Sequence, residues 1–139
     1  MGHITQQQTA ATAAVLRRPA SGGAFFKGGT RAMKKTTYHT HTTRCLHAEG
    51  SDEAYVQSAL NQGYTVLGFS DHSPWKYDSD YVGTMRMPAT DLPGYVASVR
   101  ALQQKYAGRI ELRLGLECEY FPRYIDWLKE QVRRYQMDY

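Results

Sequence analysis

Thr65-Val66-Leu67-Gly68-Phe69-Ser70-Asp71-His72-Ser73-Pro74 is the stretch on which the reading of this chain turns. A short apolar run leads straight into an acid and an imidazole. Such a run reads as a strand buried in a parallel sheet. Its polar end then falls at the strand's C-terminal edge, where barrels of parallel strands place their chemistry.

Neighbouring segments fit the same pattern. Upstream, Thr36 to Thr40 is β-branched and aromatic and predicts a first strand. Gly50-Ser51-Asp52-Glu53 supplies an N-cap serine and two acids for the first turn of a helix. Tyr55, Val56, Ala59 and Leu60 give that helix one apolar face, and Gly63 closes it. Downstream, a loop rich in Pro, Tyr and Asp runs to about Thr90. Asp91 is placed to cap a second helix, with Pro93 in its first turn and Tyr95, Val96, Val99, Leu102 and Tyr106 facing inward. Ile110 to Glu117 alternates, Leu residues on one face and Glu111, Arg113, Gly115 and Glu117 on the other. A third helix follows Pro122 with Tyr124, Ile125, Trp127, Leu128 and Val132 on a stripe, and Met137-Asp138-Tyr139 reads as the opening of a fourth strand.

This βαβαβα order predicts an α/β fold with a parallel sheet covered by helices. Three units do not close an eight-stranded barrel, which takes about 250 residues. The expectation is therefore the front part of a longer protein, truncated after about three βα units.

Composition narrows the function. The 139 residues suit one domain, and 42% hydrophobic with 22% charged residues suits a packed core. No apolar run is long enough for a transmembrane helix. Two cysteines, Cys45 and Cys118, are too few for a disulfide framework and fit a reducing, cytoplasmic setting. The net charge of +4 hides a division: residues 1–48 hold seven Lys/Arg and no acid, and residues 49–139 hold ten Lys/Arg against thirteen Asp/Glu. The body is acidic, so neither nucleic acid nor membrane is an expected partner. Residues 1–32 have no hydrophobic period, two Gly-Gly pairs and no acid, and read as a disordered or artefactual leader. An organellar targeting segment is the alternative. Residues 33–139 form the expected domain.

Four of the five histidines, His39, His41, His47 and His72, fall within 34 residues. On a strand, His39 and His41 share a face and can share an ion. His47 follows in the next loop, and Asp71-His72 and Glu117 end the second and third strands. A lone His-x-His is more often a surface pair, and a Glu ending a strand is usually just exposed. Their joint occurrence on successive strand ends of one rim points instead to zinc, iron or manganese held by imidazoles and carboxylates. His3 carries no meaning in this reading. Cys45 reads as buried near the ligands, although a soft ligand is the other possibility. Cys118 is expected to pack against helices.

Tyr38-His39-Thr40-His41-Thr42, Cys45-Leu46-His47-Ala48-Glu49-Gly50, Gly68 to Pro74, and Leu114-Gly115-Leu116-Glu117-Cys118-Glu119-Tyr120-Phe121-Pro122 together resemble the opening motifs of the PHP (polymerase and histidinol phosphatase) family, in its histidinol-phosphatase branch. The resemblance covers about residues 34–139. It implies a distorted seven-stranded (β/α) barrel, TIM-like, with a multinuclear, usually trinuclear, site for divalent metals. It further implies metal ligation by His39, His41, His47, His72 and Glu117. Asp71 becomes an acid/base catalyst or a residue acting behind the ligands, and Arg86 a substrate-side residue for phosphate. The implied reaction is hydrolysis of a small phosphate ester, L-histidinol phosphate, in histidine biosynthesis. The family's later ligand-bearing motifs are not found in these residues, so this polypeptide is expected to be inactive alone. Rival readings are an amidohydrolase-type barrel, which also starts with His-x-His, and a non-catalytic metal-binding remnant.

Overall fold

The computed structural model describes residues 33–81 and 83–139. Three strands, β1 (Thr36–Thr37), β2 (Val66–His72) and β3 (Glu111–Glu117), form one parallel sheet in the order β1-β2-β3. Helices α1 (Asp52–Asn61) and α2 (Leu92–Lys105) make the two crossovers, and α3 (Ile125–Arg134) follows β3. The expected α/β alternation is present, with a sheet of three strands among the described residues.

Leu67 and Phe69 of β2 and Leu112, Leu114 and Leu116 of β3 form the core with Tyr95, Val96, Val99 and Leu102 of α2. Phe69, Leu114, Tyr95 and Val99 are completely shielded from water. Burying a side chain of this size stabilises by about 1.5–3 kcal/mol. Alternation puts Gly68, Ser70, His72, Gly115 and Glu117 on the opposite face. A Cβ on Gly68 or Gly115 would collide with the Tyr139 ring, whose hydroxyl donates to the Tyr38 carbonyl at 2.7 Å. Glycine is used there to admit an aromatic ring against the sheet.

Ser51 caps α1 as the sequence predicts, its hydroxyl accepting from the Ala54 N–H at 3.2 Å. Gly63, at φ +75°, takes the left-handed conformation that ends the helix. Asp91 does not cap α2 with its side chain. Residues Ala89–Asp91 form a 3-10 turn that runs directly into the helix, so Asp91 already has helical backbone angles and its carboxylate instead accepts from the Thr90 hydroxyl. The first strand is shorter than the expected 36–40. Beyond Thr37 the chain stays beside β2 through other bonds: the Ser70 N–H donates to the Thr40 carbonyl at 2.9 Å, and the Thr40 N–H to the Ser70 hydroxyl at 3.2 Å. Asp138 lies along β3, its N–H donating to the Leu114 carbonyl and its carboxylate accepting from the Leu114 N–H, both at 2.7 Å. The expected fourth strand is thus a single point of pairing here. No helix of the described residues is long and apolar enough to cross a membrane.

Tyr95 links the core to the rim. Its hydroxyl donates to the Gly115 carbonyl at 2.9 Å and accepts from the Asp71 N–H at 3.4 Å, with the whole side chain buried. The β2–β3 register also pairs these two backbone groups with each other, so Tyr95→Phe removes the bridging hydroxyl without orphaning either. It is expected to lower stability by about 0.5–1.5 kcal/mol, read as an earlier urea midpoint. An unchanged midpoint would mean these bonds contribute nothing.

Candidate metal centre

The parallel register sets His72 of β2 directly opposite Glu117 of β3. The segment leaving β1 adds His39 and His41. The Nε2 atoms of His39 and His41 lie 2.8 Å apart, and Glu117 Oε2 lies 2.8 Å from the first and 3.1 Å from the second. Two ligands at right angles on a shared ion with bonds of about 2.1 Å would be separated by about 3 Å. The triangle has the dimensions of a metal clamp.

His47 and His72 close the circle. The His41 ring stands 5.0 Å from that of His47 and 4.6 Å from that of His72, and His47 and His72 are 5.2 Å apart. His47 is oriented by its own loop, its Nδ1 lying 2.9 Å from the Cys45 carbonyl. All five expected ligands are therefore brought together on one rim.

The polar accounting of this rim is incomplete without a cation. His41 Nδ1, His72 Nδ1 and Glu117 Oε2 are buried and take no hydrogen bond. Buried polar atoms are normally paired, so a cluster of three orphans calls for a ligand to complete them. Burial pushes the His41 imidazole below its ordinary pKa, with His72 pushing the same way and Glu117 and Asp71 opposing. A neutral imidazole offers the lone pair a metal needs. The donor set thus fits a divalent ion.

Asp71 sits behind the ligands and is completely buried. One carboxylate oxygen accepts from the Thr42 N–H at 3.2 Å and from the Thr42 hydroxyl, and the other accepts from the His72 N–H at 2.9 Å. Its closest approach to His41 Nδ1 is 3.9 Å, too long for a hydrogen bond. Arg44 continues the network, donating to the Thr42 hydroxyl at 3.1 Å and to both oxygens of Asp52 at 3.0 and 2.9 Å. Sequence reasoning missed Thr42, Arg44 and Asp52. No spacing rule connects them, because the loop has to fold before they meet.

Arg86 is not free in this arrangement. Its guanidinium makes a two-pronged pair with Glu119, at 2.6 and 3.0 Å, and also donates to the Ser73 carbonyl at 3.0 Å. The Trp75 indole N–H donates to the same carboxylate at 2.9 Å. These contacts tie the 73–90 segment to the end of β3. A cavity of about 360 Å³ lined by Tyr38, His39, Ser70 and Glu117 borders the rim, and a separate one of about 210 Å³ lies between Trp75, Tyr77, Tyr81 and Arg86. Cys45 is buried as expected. Cys118 is exposed rather than packed against helices, because it lies just beyond the end of β3, where strand alternation no longer fixes its direction. His3 and the proposed leader lie outside the described residues.

The family model described as PHP domain matches residues 37–139. The protein named "Probable histidinol-phosphatase" from Deinococcus radiodurans is 38% identical over 104 residues, covering 73% of this chain and 38% of that protein. A solved structure from Listeria monocytogenes, provisionally assigned as a histidinol phosphatase, superposes with a TM-score of 0.64 at 27% identity, covering 75% of this chain and 42% of the other. The histidinol phosphate phosphatase of Lactococcus lactis, solved with zinc, L-histidinol and phosphate, has a TM-score of 0.57 at 23% identity, covering 72% and 36%, and supports the fold alone. This chain spans between 35 and 38% of the lengths of the curated relatives it matches.

The Arg86 pair holds the Glu119 carboxyl down to about 2 from the ordinary carboxylate value, with burial opposing and Trp75 assisting. A depressed pKa means the clamp stabilises fully above the unfolded value near 4.5 and is lost as pH falls from there toward 2. Trp75 emission should follow this loss in an acid titration, and Glu119→Gln should abolish the step. A midpoint at 4 or above would show that Arg86 and Glu119 do not pair in solution.

Proposed function

From the premise that the chain belongs to the PHP-domain family, we propose that it holds ligands of a divalent-metal phosphomonoesterase acting on L-histidinol phosphate and releasing L-histidinol and phosphate. The observation that carries this reading is the His39, His41 and Glu117 triangle, with donor atoms 2.8–3.1 Å apart. The names of the relatives supply the substrate class. In the same reading the three-stranded sheet is an arc of a distorted seven-stranded barrel, and the full centre is trinuclear.

His39, His41 and Glu117 would hold one ion, and His47 and His72 would hold another beside it. A divalent ion bound there supplies Lewis acidity toward phosphate oxygens and lowers the pKa of water. Asp71 acts as a positioning residue: it binds Thr42, the residue after His41, and the backbone of His72, so one buried carboxylate fixes two ligand-bearing segments. Serving as a general acid would require it to release those bonds. Arg86 braces the loop that walls the cavity, and a substrate phosphate would reach it by competing with Glu119. An amidohydrolase-type reading loses its basis with the PHP match. Metal binding without turnover is the second reading, favoured because the matched segment covers only 35–38% of each relative.

Phosphate release from L-histidinol phosphate, with added Mn²⁺ or Zn²⁺ and with metal content measured on the same sample, separates the two. Release that a chelator abolishes and that His39→Ala or Glu117→Ala removes is the outcome for a phosphatase. Metal retained without release selects the second reading. Both variants should weaken metal binding by at least about tenfold. Unchanged affinity in either would sink the ligand assignment.

A further inference from the structure

We propose that Cys45 joins His47 and His41 in a thiolate-bearing site for a soft divalent cation, zinc or cadmium, beside the nitrogen-and-oxygen clamp at Glu117. The inference rests on His47 being a metal ligand, as read above, and adds a sulfur donor that this reading lacks. Cys45 is wholly buried at the end of the 3-10 turn Thr43–Cys45. Leu46, which follows, is left-handed at φ 66°, so the chain folds back and brings His47 over the thiol.

The dimensions suit a tetrahedral ion. Cys45 Sγ lies 3.7 Å from His47 Nε2, a distance that also suits a thiol–imidazole hydrogen bond. Zinc bonds of about 2.3 Å to sulfur and 2.0–2.1 Å to nitrogen, at the tetrahedral angle, place the two donors about 3.6 Å apart. His47 Nδ1 faces the Cys45 carbonyl at 2.9 Å, so it carries the ring proton and leaves the Nε2 lone pair directed at the sulfur side. Donor atoms of His41, Cys45 and His47 all lie within 4.8 Å of one another. His41 Nδ1 is buried with no hydrogen-bond partner.

Loading the site replaces one bond by another without oxidation or reduction. The Cys45 thiol now donates to the Thr42 carbonyl at 3.0 Å. On binding, the S–H bond breaks, the proton leaves to solvent, and the sulfur lone pair forms the bond to the cation. Thiolate selects soft ions, whereas carboxylate and imidazole accept manganese. His41 belongs to both groups, so a soft ion at Cys45 draws on the same imidazole as the Glu117 clamp.

Cadmium titration of the full chain carrying Cys118→Ser provides the test, with Cd²⁺ affinity measured by competition with a chromophoric chelator. The expected result is an ultraviolet sulfur-to-cadmium charge-transfer band, seen as a difference from the metal-free protein and corresponding to one thiolate per ion. Adding Cys45→Ser should remove the band and weaken Cd²⁺ binding by at least about tenfold. Should the double variant fail to fold, the band in the Cys118→Ser protein decides alone. Cadmium bound without a sulfur band overturns the Cys45 site and leaves the Glu117 clamp standing. Neither Cd²⁺ nor Mn²⁺ bound overturns both.

Discussion

A buried carboxylate with its hydrogen bonds filled by the segment after β1 and by the end of its own strand is the constraint on which the rim depends. Asp71 lies at the end of β2 with no exposed surface, and burying such a charge costs several kcal/mol unless it is well paired. The offset comes from three donors, the Thr42 N–H, the Thr42 hydroxyl and the His72 N–H. Thr42 is in turn held by Arg44, whose charge is balanced by Asp52 at the start of α1. Satisfying one carboxylate therefore fixes where the segment after β1 crosses the end of β2. His41 and His72 are placed by the same set of bonds.

The parallel ladder does the rest. Register pairs His72 with Glu117, and the core of Phe69, Leu114 and Tyr95 holds that register from beneath. Imidazole nitrogens and a carboxylate oxygen then meet at 2.8–3.1 Å. Several polar atoms of the rim are buried with no hydrogen-bond partner. A divalent ion would complete these atoms, and that is the physical support for the proposed metal centre.

Much of this was legible in the sequence because it depends on local patterns. The 68–72 run, the alternation over 110–117 and the apolar face of α2 each follow from strand or helix period. His39, His41, His72 and Glu117 could be placed on one rim because parallel strands share their C-terminal edge. What escaped was set by contacts between distant residues. The Arg86–Glu119 pair joins positions 33 residues apart, so an arginine expected to face phosphate is found holding a loop. Asp91 does not cap α2 with its side chain because the turn before it is already helical, which the capping pattern does not reveal. The brief first strand reflects Ser70 taking over the bonds to Thr40, which periodicity does not reveal.

Diffraction from crystals of the chain grown with Mn²⁺ tests whether the rim is a metal centre. The expected result is an anomalous peak within bonding distance of His39, His41 and Glu117. A peak only elsewhere on the chain, or none with the histidines ordered as described, would contradict it.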